Sequence, residues 1–252
     1  MLPLSASDLL DVWERGAGHS PADQGLVLLA YAFPHAPLAA LTVMTVGQRD
    51  ACLLRLHGLT FGPRLHGVAA CPDCGERLEL TLDAADLLPA GTALPDPEVG
   101  VPAPAIATLT VDACAVSFRP PTLADLENAA RTGDPEAARL ALLEACLLDA
   151  RREGQPVPLE ALSAPVLEAV GARLGAVEPL ADLTLAAACP VCGYAWQVRF
   201  DIVSFFWGEV EAWAIRLLHE VHALASAYGW PQAEILALSP WRRQRYLELV
   251  GV

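Results

Sequence analysis

The feature of this sequence that most constrains its fold is a six-residue segment that occurs twice. Ala-Cys-Pro-Asp-Cys-Gly at 70–75 returns as Ala-Cys-Pro-Val-Cys-Gly at 188–193. The likeness continues downstream, where apolar residues at every second position lead to an aspartate in both copies. Those positions are Leu78, Leu80, Leu82 and Asp83 in the first copy and Trp196, Val198, Phe200 and Asp201 in the second. Each copy therefore predicts a tight turn that carries two thiols, followed by a half-buried strand.

The two turns together predict a metal site. Proline fixes φ after the first cysteine of each turn, and the glycine after the second cysteine tolerates a positive φ. Zinc prefers four thiolates in a tetrahedron at about 2.3 Å per bond, with no open position when the site is structural. We predict that Cys71, Cys74, Cys189 and Cys192 bind one structural zinc ion per chain. The spacing alone leaves a four-thiolate iron site and a redox-active dithiol as alternatives.

The distance between the two turns predicts a zinc ribbon that is discontinuous along the chain. Residues 75–188 lie between the two cysteine pairs, so this stretch is expected to be an insertion that returns close to where it left. The fold class is α+β, a mostly helical protein built around the four-cysteine ribbon with a β-hairpin and helices inserted. The expected regions are N-terminal helices at 1–65, ribbon halves at 66–88 and 182–203, the insertion at 89–181 and C-terminal helices at 204–252.

Periodicity and capping residues place the helices and strands within these regions. Apolar residues at helical spacing predict helices, alternation predicts strands, and the proline-rich stretch at 89–104 predicts a linker. The predicted helices cover 8–15, 21 to the break at Pro34, 47–59, a short stretch from Thr122, 135–152, one or two segments within 158–175, 204–228 and 240–249. The predicted strands cover 76–83, 107–112, 114–119, 183–187 and 194–201.

Composition and charge exclude several classes of protein. Of the 252 residues, 54 % are hydrophobic and 18 % charged, which is enough apolar surface for a sizeable core and excludes a disordered tail. All 16 basic residues are arginines, and 30 acidic residues give a net charge of −14, which argues against a general nucleic-acid binder. Prolines interrupt the longest uncharged run, 24–48, so no membrane span is predicted. The N-terminus carries no evident signal peptide, and we expect a protein of the reducing cytoplasm.

No group of residues in the sequence predicts an enzyme. The segment 219–222, His-Glu-Val-His, has one residue too few between Glu and the second His for a zinc-protease helix, so it predicts a polar helix face. A glycine-rich phosphate loop and a nucleophile elbow are absent from the sequence. Cys52, Cys114 and Cys146 lie in apolar stretches and are expected to be small buried hydrophobes. We therefore predict neither catalytic residues nor a small-molecule substrate.

The end of the chain combines aromatic and basic residues in an otherwise acidic protein. Five of the six tryptophans follow residue 195. Trp, Tyr and Arg are the side chains richest in binding hot spots, which predicts a partner-binding surface or a phosphate-binding spot here. The candidate residues are Trp230, Trp241, Arg242, Arg243, Arg245 and Tyr246. The alternative is that the rings pack the last helix onto the body while the arginines face solvent or Glu248.

Several segments outside the turns carry a resemblance to a known family. They are Val46-Gly47-Gln48-Arg49-Asp50 before a leucine-rich helix, Phe61-Gly62-Pro63-Arg64-Leu65 before the first cysteine turn, Tyr228-Gly229-Trp230, Glu234-Ile235-Leu236-Ala237-Leu238-Ser239, and Arg242-Arg243 with Tyr246-Leu247-Glu248-Leu249-Val250. The chain resembles the baseplate hub assembly proteins of T-even phages, in the broader form found in gene clusters for contractile injection systems. The resemblance implies a non-enzymatic assembly chaperone or minor baseplate component that binds hub, spike or wedge subunits in the cytoplasm, with no nucleic acid or membrane as partner. The alternative is a zinc-ribbon adaptor in transcription or RNA metabolism, which the arginine cluster favours and the acidic charge disfavours.

Overall fold

Helices and three small antiparallel sheets make up the protein, in a computed structural model that describes residues 1–89 and 103–251. The α+β class is therefore confirmed, whereas residues 90–102 of the predicted linker lie outside the described residues. The helices are α1 (Ala6–Gly16), α2 (Pro21–Ala32), α3 (Leu38–Thr42), α4 (Val46–Thr60), α5 (Ala84–Leu87), α6 (Leu123–Ala130), α7 (Pro135–Cys146), α8 (Ala164–Val177), α9 (Ile202–Tyr228), α10 (Gln232–Ala237) and α11 (Pro240–Val250). The strands are β1 (Arg64–Ala70), β2 (Arg77–Asp83), β3 (Ala107–Val111), β4 (Cys114–Phe118), β5 (Leu147–Arg152), β6 (Gln155–Pro156), β7 (Thr184–Ala188) and β8 (Ala195–Arg199).

The main core lies where α1, α2 and α4 pack against the first half of α9. Leucines of α2 and α4 meet Phe206 and Val210 of α9 in one buried cluster. The predicted apolar stripe on α9 forms as expected, because its members recur at helical spacing and face the core. Side-chain caps fix where these helices start: Ser5 and Thr45 each form a capping box at α1 and α4.

The two cysteine segments each form a β-hairpin. Strand β1 pairs antiparallel with β2, and β7 pairs antiparallel with β8, so that the hairpins form two separate two-stranded sheets. Strands β2, β7 and β8 were predicted from alternation. Strand β1 was not, because Gly67 and the two alanines at its end have little intrinsic preference for a strand. Pairing with β2 decides its conformation.

The insertion between the hairpins contains a four-stranded sheet in the order β3-β4-β5-β6. Helix α8 covers one face of this sheet, and the side chains between them form a separate buried cluster that includes Val116, Phe118 and Val166. The hairpin predicted at 107–112 and 114–119 is confirmed as β3 and β4. The insertion therefore has an apolar core of its own.

The helix predicted over 135–152 is wrong in its last third. Helix α7 ends at Cys146, and the chain continues directly as strand β5 alongside β4. Ala150 lies opposite Val116 in this pairing and is buried in the core of the insertion. Long-range pairing overrides local preference here, since Leu147–Arg152 alone carries no strand signal.

The N-terminus of α4 is where the insertion contacts the helical body. The backbone N–H of Val46 donates to the carbonyl of Pro121 over 3.2 Å, and that of Leu123 donates to the carbonyl of Met44 over 2.9 Å. The carboxylate of Glu178, at the end of α8, accepts hydrogen bonds from the hydroxyl of Thr45 and from the N–H of Gly47. An acidic side chain is stabilising at this place because a helix N-terminus carries a partial positive charge.

Helices α10 and α11 fold back on the second half of α9. Leu217 and Leu224 of α9 meet Ile235 of α10 and Leu247 of α11 in a third buried cluster. Helix α11 was predicted, whereas α10 is a six-residue helix too short to give a periodic signal. Among the described helices, α9 included, none has the length and apolar character needed to cross a bilayer.

Candidate metal centre

The two cysteine turns have the same backbone hydrogen bonds. In the first turn the N–H of Gly75 donates to the carbonyl of Cys71 over 2.9 Å, and the N–H of Cys71 donates to the carbonyl of Glu76 over 2.8 Å. The second turn repeats both bonds, from Gly193 to Cys189 over 2.9 Å and from Cys189 to Tyr194 over 2.8 Å. Similar sequences thus give the same local structure at the tips of the two hairpins.

Glycine is required at the end of each turn. Gly75 and Gly193 both have a φ of +76°, in the left-handed region that costs other L-residues about 1–2 kcal/mol. This conformation lets the chain turn back into β2 or β8 immediately after the second cysteine. The prediction of positive φ at these two positions is confirmed.

The turns bring the four predicted sulfurs together. The Sγ atoms of Cys71 and Cys192 are 3.6 Å apart, and so are those of Cys74 and Cys189. All four lie within 4.8 Å of one another. Four sulfurs bound to one zinc ion at ~2.3 Å stand about 3.8 Å from each other in a tetrahedron. The cluster has therefore the size and the donor set of a four-thiolate metal site.

Burial differs between the two cysteines of each turn. Cys71 and Cys189, the first of each pair, are 2 % and 3 % exposed, whereas Cys74 and Cys192 are at the surface. None of the four is in a disulfide. A metal ion held by them would lie between the hairpin tips, with two of its ligands shielded by protein and two next to solvent.

Backbone N–H groups and neighbouring sulfurs shift the pKa values of Cys189 and Cys192. The backbone N–H of Cys192, helped by that of Val191 and opposed by desolvation, lowers the pKa of Cys189 to about 7. The backbone N–H of Tyr194 lowers the pKa of Cys192, but desolvation and hydrogen bonds to Cys74 and Cys189 outweigh it and raise this pKa to about 12. One thiolate thus forms readily and opposes the formation of the next. A bound cation removes this opposition and allows all four to be thiolates.

The aspartate that ends each repeat has a role that sequence reasoning missed. The carboxylate of Asp83 accepts a hydrogen bond from Ala85 N over 2.9 Å at the start of α5. Asp201 accepts from Val203 N and Ser204 N, each over 3.2 Å, at the start of α9. Both residues are helix N-caps, which fix the direction in which each hairpin joins the body. The repetition of Asp at the same offset was the available signal.

An apolar groove of about 300 Å³ lies between the bases of the two hairpins. Leu80 and Leu82 line it from the first hairpin, Leu185 and Val198 from the second, and Phe205 from α9. The leucines and the valine are half-buried rather than buried, so the hairpins are not packed tightly against each other along their length. The cysteine turns hold the two hairpins together at their tips, and the helical body holds them together at their bases.

The six predicted partner-binding residues lie in different surroundings. Trp230 stacks on Tyr228 at 4.6 Å and meets the edge of Tyr246 at 4.9 Å, so these rings pack α11 and the end of α9 together. Arg243 does not belong to an exposed surface, because it is 5 % exposed and its Nε donates to Glu220 over 2.6 Å. This pairing joins α11 to α9.

The remaining three residues of that prediction lie on the solvent side of α11. Trp241 is 70 % exposed, and the guanidinium of Arg245 lies 5.3 Å from the centre of its ring. Arg245 also pairs with Glu248 over 2.7 Å, as the packing alternative expected, and Arg242 is exposed. Trp241, Arg245 and the exposed Leu249 are spaced four residues apart, which places them on one face of the helix.

The other candidate ligands do not add to the metal centre. Cys52, Cys114 and Cys146 are buried, as predicted, and burial raises the pKa of Cys52 to about 12 and that of Cys146 to about 11. Glu220 pairs with Arg243, and its neighbours His219 and His222 are exposed on α9. Among the described residues, the four cysteines are the one group of three or more possible ligands close enough to share an ion. Comparison with protein-family models, with curated proteins and with solved structures finds no match to this chain.

Proposed function

We propose that the protein is a non-enzymatic assembly factor or minor structural component of the baseplate of a phage-tail-like contractile injection system, with a structural zinc ion. The observation that carries this proposal is the closed set of four sulfurs at the tips of two hairpins that are far apart along the chain. A site with four protein ligands leaves no position for substrate, so the metal serves the structure. The resemblance of the segments within 46–65 and 228–250 to baseplate hub assembly proteins supplies the setting.

Zinc fits the four sulfurs better than the alternatives. Two Cys-Pro-x-Cys-Gly turns, each at the tip of a hairpin, are the arrangement of a zinc ribbon, and the 3.6 Å sulfur distances are close to those of a zinc tetrahedron. A dithiol enzyme would use one cysteine pair at the junction of a strand and a helix. Here both pairs lie between two strands. We infer one structural zinc ion per chain.

The exposed face of α11 is the best candidate for the surface that binds a baseplate subunit. Trp241 and Leu249 leave large apolar areas in water, and Arg242 and Arg245 border them. Exposed aromatic and arginine side chains supply most hot spots of protein interfaces. Trp230, Tyr246 and Arg243 support this face from behind, by packing α11 onto α9.

The same region gives little support to a nucleic-acid adaptor. Two of the three arginines at 242–245 are neutralised, Arg243 by Glu220 and Arg245 by Glu248. The chain as a whole carries a charge of −14, which repels phosphates. A protein partner therefore remains the better proposal for α11. Filter binding of random DNA and RNA at moderate salt should give negligible retention, and retention that falls with added salt would favour the adaptor.

The metal is tested by elemental analysis of protein purified under reducing conditions. We expect one zinc per chain in the wild type and none in the double variant Cys71→Ser, Cys189→Ser, whose hairpins should be loosened. A matched control is Asp73→Ser with Val191→Ser, since both residues are exposed members of the same turns and neither belongs to the group of four ligands. Iron in place of zinc, or no metal in the wild type, would contradict the proposal.

The partner is tested by co-purification from cells that produce the injection system. We expect hub, spike or wedge subunits with the wild type, and their loss with Trp241→Ala combined with Arg242→Ala, because both side chains are exposed and outside the core. Leu140→Ala with Leu148→Ala serves as the control, since it removes exposed apolar area from the insertion instead. Equal recovery with both variants would place the partner surface away from α11.

A further inference from the structure

We propose that the four cysteines form a second, metal-free link between the hairpins: oxidation pairs Cys71 with Cys192 and Cys74 with Cys189, and releases the metal. The inference rests on the proposed zinc site and adds a regulation to it. In each hairpin the two cysteines follow the Cys-x-x-Cys spacing, which by itself suggests a disulfide within the turn. The structure points instead to pairing between the turns.

The distances favour the pairing across the hairpins. The two sulfur pairs that approach to 3.6 Å each join one hairpin to the other, over 121 and 115 positions of the chain. A disulfide needs about 2.05 Å, so each pair has to close by roughly 1.5 Å. The hairpin tips are exposed turns outside the core, and departure of the metal removes the ion that keeps the sulfurs apart. Small movements of the tips are therefore sufficient.

An oxidant can reach one cysteine in each of these two pairs. Each pair combines one exposed cysteine, Cys192 or Cys74, with one buried cysteine, Cys71 or Cys189. A peroxide oxidises the surface thiolate to a sulfenic acid and leaves as hydroxide. The sulfur of the buried partner then attacks, the S–S bond forms, and a second hydroxide leaves. Two peroxide molecules thus accept four electrons from four thiolates, and the zinc ion, which has lost its ligands, is released.

The two states hold the same parts of the chain together. Zinc links β1-β2 to β7-β8, and the two disulfides would link the same two hairpins at the same points. The ends of the insertion therefore stay together when the metal leaves. Disulfides within the turns would instead separate the hairpins, since nothing would connect their tips. With the proposed pairing, the hairpins stay connected after oxidation, even though the metal is lost.

Trypsin digestion separates the two pairings in the wild-type protein. The chain has no lysine, so cleavage after arginine leaves Cys71 and Cys74 together in peptide 65–77 and Cys189 and Cys192 together in peptide 174–199. After treatment of the zinc-loaded protein with hydrogen peroxide, we expect these two peptides to be joined, with one zinc released for every four thiols lost. Two separate peptides, each lighter by two hydrogens, or a disulfide to Cys52, Cys114 or Cys146, would overturn the proposal.

Double variants test which cysteines pair. Cys71→Ser with Cys192→Ser keeps Cys74 and Cys189, which are 3.6 Å apart, and should form the cross-link several-fold faster than the control Cys71→Ser with Cys189→Ser, which keeps the two surface sulfurs. Fragmentation of the joined wild-type peptides in the mass spectrometer assigns the same pairs without any substitution. Equal rates together with mixed pairs would overturn the assignment. Absence of zinc from the purified protein would contradict the proposed zinc site and the metal release, whereas the peptide map would still test the disulfide pairing in reduced, metal-free protein.

Discussion

Glycines show how far single residues of this chain can be understood from sequence. Gly75 and Gly193 follow the second cysteine of a turn, and their positive φ was predictable because the requirement is local. Gly16 was not singled out, because the reason for it is the ring of Trp207, which lies on α9. In the same way, the pairing of Arg243 with Glu220 depends on how α11 crosses α9, and no local sequence pattern predicts it. Residues that serve contacts between elements are the ones that the sequence leaves undetermined.

Substitution of Gly16 by alanine should destabilise the protein. A Cβ at this position would lie 2.6 Å from Cζ3 of Trp207, and both residues are buried. Overpacking of this kind costs about 1–3 kcal/mol, because the ring has to leave its rotamer or α1 has to shift. Gly58→Ala is the control: Gly58 is also helical, but a Cβ there meets no atom within 4 Å, so that variant should gain roughly 0.5–1 kcal/mol. Urea unfolding measures both, and a neutral Gly16→Ala would show that the contact is loose.

At the scale of elements, α7 shows why a helix start can be predicted when the helix end cannot. The capping box at Thr122 and the proline after Asp134 predicted α6 and α7, because these signals lie in a few adjacent residues. The end of α7 was missed, since strand β5 exists through its pairing with β4. Most of the two hairpins of the metal centre was predicted, because each combines an alternating apolar pattern with a turn whose cysteines suit metal binding.

Asp125 at the start of α6 should make stability depend on pH. Although desolvation raises the pKa of Asp125, hydrogen bonds from Arg119 and Thr122 outweigh it and lower this pKa. The folded-state pKa is thus below the unfolded value of about 3.9, so the stabilisation is present above that pH and lost as the pH falls through the folded pKa. We expect Asp125→Asn to cost about 1–2 kcal/mol at pH 7, since it breaks the capping box and the pair with Arg119.

The difference between wild type and Asp125→Asn should shrink below pH ~4, where the unfolded carboxyl becomes protonated. Loss of metal in acid affects both proteins, so it cancels in this difference. Glu127→Gln on the same helix is the control, because Glu127 and Arg131 are exposed and such i, i+4 pairs contribute at most about 0.5 kcal/mol. A constant difference between pH 7 and pH 3.5 would mean that Asp125 acts through packing rather than charge.

For the whole molecule, the meeting of the two cysteine pairs was predictable, because a repeated turn with half of a ligand set implies a partner. The way in which the insertion is attached was not. It has its own core, and Glu178 joins it to Thr45 and Gly47 of the body, which are far from Glu178 in sequence and form no motif with it. The same holds for the N-caps Asp83 and Asp201, which orient the hairpins relative to the helices.

Glu178→Gln should weaken the attachment of the insertion. The carboxylate accepts hydrogen bonds from Thr45 and Gly47 at the N-terminus of α4, where negative charge stabilises the helix by up to ~2 kcal/mol in partly buried positions. We therefore expect a loss of about 1–2 kcal/mol in urea unfolding. Glu168→Gln, an exposed residue of α8, should leave stability unchanged. Equal stability of both variants would show that the backbone bonds alone hold the insertion.

Removal of the metal should loosen the hairpins before the helical core. Two-stranded sheets are marginal on their own, and apart from the buried Leu65 the inner side chains of these two are only half-buried. A structural zinc site contributes about 10–16 kcal/mol of folding free energy at pH 7. We expect the apolar contacts across the groove between the hairpins to contribute less. Helices α4 and α9, in contrast, are held by the buried cluster around Phe206. We therefore expect their stability to depend little on the cysteine turns, although Leu65 of β1 also belongs to this cluster.

Amide hydrogen exchange with a chelator and a reductant present distinguishes these regions. We expect faster exchange at 64–83 and 184–199, with protection retained in α4 and in the first half of α9. The variant Cys71→Ser, Cys189→Ser should show the same pattern without chelator and no further response to it. Simultaneous loss of protection in hairpins and core helices would contradict this expectation, because it would make the metal a condition for the whole fold. The zinc would then stabilise the whole fold, rather than act as a link between two parts of a chain whose helical core is already stable.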